Sequence, residues 1–199
     1  MFRSVFQGLA ALSFIAALSL ASPVRAATPE GQALGLEIGS ILLEAANFKA
    51  VIAKSMTEES GSMGDFNFRP DWKQLLVDSM IEETEHDIPA LKRLFGKAFA
   101  DNLTVEELRA GVVIMRDPAM QAAIAAGASN RPAPTTRPLR ATEKVINSPA
   151  GRAFLERLSH FDTLMSGLEN DFIAEIIPGA FRRFADKAEA SEAARAAAQ

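Results

Sequence analysis

The chain has 199 residues, no cysteine and no tyrosine, with 21 Lys and Arg against 25 Asp and Glu. Disulfide frameworks, thiolate metal sites, cysteine nucleophiles and a lipid-carrying N-terminal cysteine are excluded by that composition. One globular unit is expected at this length. Its 36 alanines, and 13 phenylalanines against a single tryptophan, favour helices packed through small and aliphatic side chains.

Residues 1–26 read as a secretory signal peptide. Arg3 and the amino terminus supply positive charge, Gly8 to Ala21 form an uncharged apolar run, and Pro23 breaks it. Val24-Arg25-Ala26 puts small residues where a signal peptidase reads, so cleavage is expected after Ala26, with Ala21 the second choice. The alternative, a retained anchor, is disfavoured because the run falls short of the roughly 20 residues needed to span a bilayer. Cleavage would leave 19 bases and 25 acids, a net charge of −6. That balance argues against a nucleic-acid partner, and the expected address is the periplasm, with no stable membrane span after cleavage.

From Gln32 to Met56 apolar residues recur at three- and four-residue steps, predicting one long helix. Thr57–Asp71 is expected to be a loop containing Met63, Phe66 and Phe68. Pro70-Asp71-Trp72 suits a helix start, and Pro89 interrupts the stripe that follows. Leu91, Leu94, Phe95, Ala98 and Phe99 carry a further helix. Leu103-Thr104-Val105-Glu106-Glu107-Leu108 has the form of a capping box with a hydrophobic staple. The helix it starts runs to about Arg116. Asp117-Pro118 then fits an N-cap with proline at the first helical position, opening a short helix to about Ala126.

A shift of 31 residues places Leu108-Arg109-Ala110 on Leu139-Arg140-Ala141, Asp117-Pro118-Ala119 on Ser148-Pro149-Ala150, and Thr104 on Thr135. An internal helix-cap-helix duplication is expected, with units 104–126 and 135–157 joined by the proline-rich linker Gly127–Pro134. Phe154, Leu158, Phe161, Met165, Leu168, Phe172 and Ile176 then follow at near-heptad spacing. Pro178-Gly179 is expected to stop or kink that segment. The alanine-rich stretch 188–199 is expected to fray. The fold class is all-α: a compact multi-helix bundle of helical hairpins over 27–187.

Candidate chemistry is sparse. In Glu82-Glu83-Thr84-Glu85-His86, helical spacing puts a carboxylate and an imidazole on one face, as in di-iron bundles. Such a site requires a second Glu-x-x-His; His160, with Glu156 before it and Asp162 after, fails the spacing. A solvated acidic turn is therefore expected, with no metal and no cofactor. The sequence has no Gly-x-Ser-x-Gly, and Ser60-Gly61-Ser62-Met63-Gly64 lacks the lysine of a phosphate loop. Arg182-Arg183 reads as a helix-end charge pair. No catalytic residues are assigned and no enzyme is expected. Met63, Phe66, Phe68, Phe181 and Phe184 are apolar where packing does not obviously demand it, and they are candidates to line a groove between helices.

Leu-Thr-x-Glu-Glu-Leu-Arg-Ala at 103–110 and Asn-Ser-Pro-Ala-Gly-Arg-Ala at 147–153 resemble the two signatures of the domain of unknown function 2059 family, over about residues 95–158. The resemblance implies a secreted helical bacterial protein and transfers no catalytic residues. Its motif residues look like helix caps and close helix contacts. The expectation is thus an exported, non-catalytic helical protein acting through protein contact, with the monomer favoured. The alternative is a carrier or sensor of an apolar ligand such as a lipid or acyl chain, and an enzyme of unknown class stands third.

Overall fold

The computed structural model describes residues 28–59, 69–132 and 134–198. Among them are ten α-helices and no strand: α1 (Pro29–Ala45), α2 (Phe48–Glu59), α3 (Pro70–His86), α4 (Ile88–Asn102), α5 (Val105–Met115), α6 (Pro118–Ala128), α7 (Arg140–Ile146), α8 (Pro149–Ser159), α9 (Phe161–Leu164) and α10 (Leu168–Ala197). The helical bundle expected from the periodicity is present. The candidate signal segment lies outside the described residues. No described helix is long and apolar enough to cross a membrane.

Helix α4 is central, packed on α1 and also touching α10. Its contact with α1 is made through glycine. A Cβ added at Gly39 would stand 2.9 Å from the Gly96 nitrogen, and one added at Gly96 would stand 2.6 Å from the Leu36 Cα. The two backbones therefore touch with no side chain between them, an approach only glycine permits. Ile38, Leu91, Phe95 and Phe99 fill the space beside this crossing, and one continuous core extends from them to Ile176 and Ala180.

The single helix expected over Gln32–Met56 is two helices. Asn47 adopts φ 47°, the left-handed conformation that asparagine tolerates better than most residues. The Asn47 N–H donates to the Glu44 carbonyl, and α2 departs in a new direction to pack on α3. Apolar periodicity continues across the break because Phe48 still turns into the core, against Phe95 with ring centroids 5.9 Å apart. Helix α2 also extends through Thr57–Glu59, which the sequence reading gave to a loop.

The caps at 104, 117 and 148 form as expected. The Thr104 hydroxyl accepts from the Glu107 N–H at 3.2 Å, and the Glu107 carboxylate accepts from the Thr104 N–H at 2.7 Å. Asp117 accepts from the Ala119 N–H at 2.8 Å, and Ser148 from the Gly151 N–H at 3.0 Å. Helix α6 ends at a left-handed Asn130, with the Arg131 N–H donating to the Ala126 carbonyl and the Asn130 N–H to that of Gly127, the paired bonds of a Schellman motif. The bounds of α6 and α8, Pro118–Ala128 and Pro149–Ser159, fall 31 residues apart at both ends, as do the last residues of α5 and α7. The correspondence of Thr104 with Thr135 fails, since α7 begins only at Arg140 and Thr135 is exposed outside any helix.

All seven residues of the near-heptad row are buried, yet they do not lie on one helix. His160 and the turn Met165–Gly167 divide the row among α8, α9 and α10. Helix α10 rests on α3 and α4, whereas α1 rests on α4, α5 and α6. Pro178 does not stop α10, which continues for 19 residues beyond it, to Ala197. The stretch expected to fray from 188 is helical to that point, with Ala188 buried.

Candidate functional site

The long pair α3 and α10 runs antiparallel and carries the charged residues singled out from the sequence. Glu83 is buried, and its carboxylate accepts from the Arg183 guanidinium on α10. Gly179 makes room for it, because a Cβ there would overlap the Glu83 carboxylate. The hydrogen bond from Arg183 to Glu83 raises the arginine pKa above its ordinary value. One step away Lys187 pairs with Glu82 at 2.7 Å. At the far end Arg195 meets Asp71 at 3.0 Å, Arg69 meets Asp71 at 2.9 Å and also pairs with Glu192, and the Arg69 guanidinium lies 5.1 Å over the Trp72 ring.

Two sequence readings change here. Arg182-Arg183 is not a helix-end pair but sits inside α10, where Arg183 is an interhelical partner and Arg182 donates to the Pro178 carbonyl at 3.4 Å. The acidic turn Glu82–His86 is not simply solvated either. Thr84 is buried and donates to the Met80 carbonyl at 2.8 Å, and Glu85 pairs with Lys49 of α2 at 2.5 Å. Glu82 and His86 are the exposed members, and His86 Nδ1 lies 3.0 Å from Asp87 Oδ1.

Glu83, His86 and Asp87 place one potential ligand atom each within 4.8 Å of one another. A metal there would have to share the Glu83 carboxylate with the Arg183 cation, and like-charge repulsion opposes that. His160 stands exposed at the junction of α8 and α9, and nearby Ser159 donates to the Glu156 carbonyl at 2.7 Å. The described hydrogen bonds thus commit Glu82, Glu83, Thr84 and Glu85 to the backbone or to ion pairs.

Of the five residues expected to line an apolar groove, Phe181 and Phe184 can be described. Met63, Phe66 and Phe68 lie outside the described residues, as does Ser60–Gly64. Phe184 packs edge-on against Trp72, with centroids 6.0 Å apart at 83°. Phe181 instead is 52% exposed. Phe181 belongs to a row with Ile177 and Ile173, one helical turn apart, of which Ile173 is 39% exposed. A shallow, open cleft lies between α2 and α3, lined by Phe48, Lys49, Ile81, Thr84, Glu85 and Ile88, with room for about one water molecule. That is far short of a small-molecule site.

Asp117 plays a part the sequence reading missed. Besides capping α6 it accepts from the Leu139 N–H at 2.9 Å, joining the start of α7 to the start of α6. Burial opposes its ionisation, but hydrogen bonds from the Thr142 hydroxyl and from the N–H groups of Leu139, Ala119 and Met120 outweigh that, and its pKa lies below the ordinary aspartate value. The spacing Asp-Pro announced one cap; nothing local announces the second. The contact of Gly35 and Gly39 with α4 was missed as well, although their spacing of four is a signal that could have found it. Comparison of the chain with family models, curated proteins and solved structures gave no match.

Proposed function

We propose that this is an exported, non-catalytic helical protein that works in the periplasm by contact with another protein. The observation that carries the reading is the α10 row Ile173, Ile177 and Phe181, three large apolar side chains at successive turns, of which Ile173 and Phe181 are exposed and Ile177 rests partly on the core, on a helix that also packs on α3. A row at i, i+4 and i+8 is the pattern by which one helix receives another. The same reading is supported by the polar groups of α3, which are held in ion pairs and backbone hydrogen bonds rather than gathered around a cavity. Membership of the domain of unknown function 2059 family, and a duplication behind the 31-residue offset, belong to this proposal; neither adds an activity.

A photo-crosslinking residue at position 181 tests it in cells. The expected result is a discrete protein adduct that disappears when Ile173 is changed to Asp. Native mass spectrometry of the purified chain supplies the opposing outcome. A co-purifying lipid mass, with no protein adduct at position 181, overturns the contact reading in favour of an apolar-ligand carrier.

A further inference from the structure

Charge on this protein is unevenly distributed. Residues 131–157 carry six cations, Arg131, Arg137, Arg140, Lys144, Arg152 and Arg157, and two carboxylates, Glu143 and Glu156; the rest of the chain holds 15 cations against 23 carboxylates. All six cations are exposed. Elsewhere most of the described cations join helices, as in Lys92 to Glu44, Arg109 to Glu30, Arg116 to Glu37 and Arg93 to Glu175. In 131–157 they are not. Arg131 donates to the Ser129 hydroxyl and Arg152 to the Asn147 carbonyl, while Arg137, Arg140, Lys144 and Arg157 have no ion pair among the described residues. Fold stability does not account for them.

Their placement follows from how α7 and α8 pack. Both helices rest on α5, with the Phe154 ring of α8 against Gly111 of α5, and they bury Thr142 on α7 and Gly151, Phe154 and Leu158 on α8. Arg140 and Lys144, one turn apart, are left on the outer side of α7, and Arg152 and Arg157 flank the outer side of α8. Between Arg137 and Arg140 stands Leu139, 60% exposed, the most exposed large apolar side chain among the described residues. Its position is fixed, because its own N–H is held by Asp117 and Pro138 precedes it.

We propose that the 131–157 face binds the surface of a membrane rich in anionic lipid headgroups, with Leu139 entering the headgroup layer. Clustered cations beside an apolar side chain are the pattern that anionic bilayers attract, and each Lys or Arg near the surface adds to the binding. An acidic protein is the competing occupant. Protein interfaces are built around a desolvated core depleted of charge, and this face offers one apolar residue amid charge. A bilayer surface asks for charge density and shallow insertion, which is what the face supplies. The proposal is independent of the α10 contact reading, since the two surfaces share no residue and each is tested by its own variants.

The test is co-sedimentation of the full chain with phosphatidylcholine vesicles, with and without a minority of phosphatidylglycerol. Because the apolar run Gly8–Ala21 is present in every sample, the readout is the excess on anionic vesicles and its loss in variants. The expected result is an excess that falls about tenfold or more in Arg137→Glu/Arg140→Glu/Lys144→Glu, with an unchanged melting curve, and that falls further in Leu139→Ser at physiological salt. If the charge-reversed variant does not fold, the triple Gln variant is read in its place. Equal sedimentation with both vesicle types, or an excess that survives the variants, overturns the proposal. So does release from vesicles by polyglutamate together with indifference to Leu139→Ser, which would assign the face to an acidic protein.

Discussion

Asp117 and Leu139 meet through a 2.9 Å hydrogen bond, the Leu139 N–H donating to the carboxylate of a residue that already caps α6. One buried side chain thereby sets the start of two helices and ties the residue that opens α7 to the residue that opens α6. Replacing Asp117 with Ala is expected to cost about 2–3 kcal/mol, a cap together with a charge-assisted bond. The pKa of Asp117 is depressed in the fold, so its stabilisation is complete above the ordinary aspartate value of about 4 and is lost as pH falls through the depressed value. Urea unfolding of the wild type and Asp117→Asn at neutral and acid pH checks this: the difference between them should narrow on acidification.

Gly151 marks the closest approach of α7 and α8. A Cβ there would overlap the Val145 carbonyl oxygen and stand 2.7 Å from its carbon, and backbone cannot move aside as a side chain can. Gly151→Ala is expected to cost about 3 kcal/mol, the upper end of overpacking, and Leu more. Gly167, which has nothing within 4 Å of its notional Cβ, is the control. Alanine at 167 should leave the melting temperature unchanged or raise it slightly.

Thr104→Ala removes one arm of the capping box and should destabilise the fold by about 1 kcal/mol. Glu107→Ala removes the other arm and is expected to behave alike, the double variant costing less than the sum because the two bonds serve the same helix start. Chemical denaturation of the four proteins measures this coupling directly.

The two neighbouring pairs between α3 and α10 should respond differently to loss of their cation. The Glu83 side chain is 10% exposed and that of Glu82 is 49% exposed. Arg183→Met leaves a carboxylate stranded in the interior, whereas Lys187→Met returns one to water. The first variant should melt at clearly lower temperature than the second. Equal melting temperatures would show that Glu83 finds water when its partner is gone.

Phe161 lies at the middle of the buried row and is 3% exposed within the single chain. Phe161→Asp is expected to unfold the protein, because it places an unpaired charge in the core. Circular dichroism melting with light scattering gives the answer; a folded monomeric product would show that the row is covered by a second copy instead.

The sequence announced burial better than it announced continuity. Each residue from Phe154 to Ile176 in the near-heptad row is buried, yet three helices share the row, because a turn at Met165–Gly167 can keep apolar residues inward while the axis changes. Asn47 hid a break in the same way. Caps were legible because Thr104, Asp117 and Ser148 act on groups two or three residues away. The Glu83–Arg183 pair and the bond from Leu139 to Asp117 were not, since their partners are 100 and 22 residues distant and only the tertiary fold unites them. Of the expected groove, Phe181 and Phe184 share a helix but differ in burial, and it is Trp72 from α3 that makes the difference.

The pairing of α3 with α10 has a consequence for how the chain comes into being. Glu83 is synthesised 100 residues before Arg183, and α10 is the last described helix to be made. Until it arrives, the face of α3 that will hold Met80 and Glu83 has no cover, while α1, α4 and α5 can already close on one another through local and glycine-mediated contacts. The nascent chain therefore passes through a stage in which a half-built bundle shows an apolar strip carrying a carboxylate, and the final thirty-residue helix docks onto it as a closing stave.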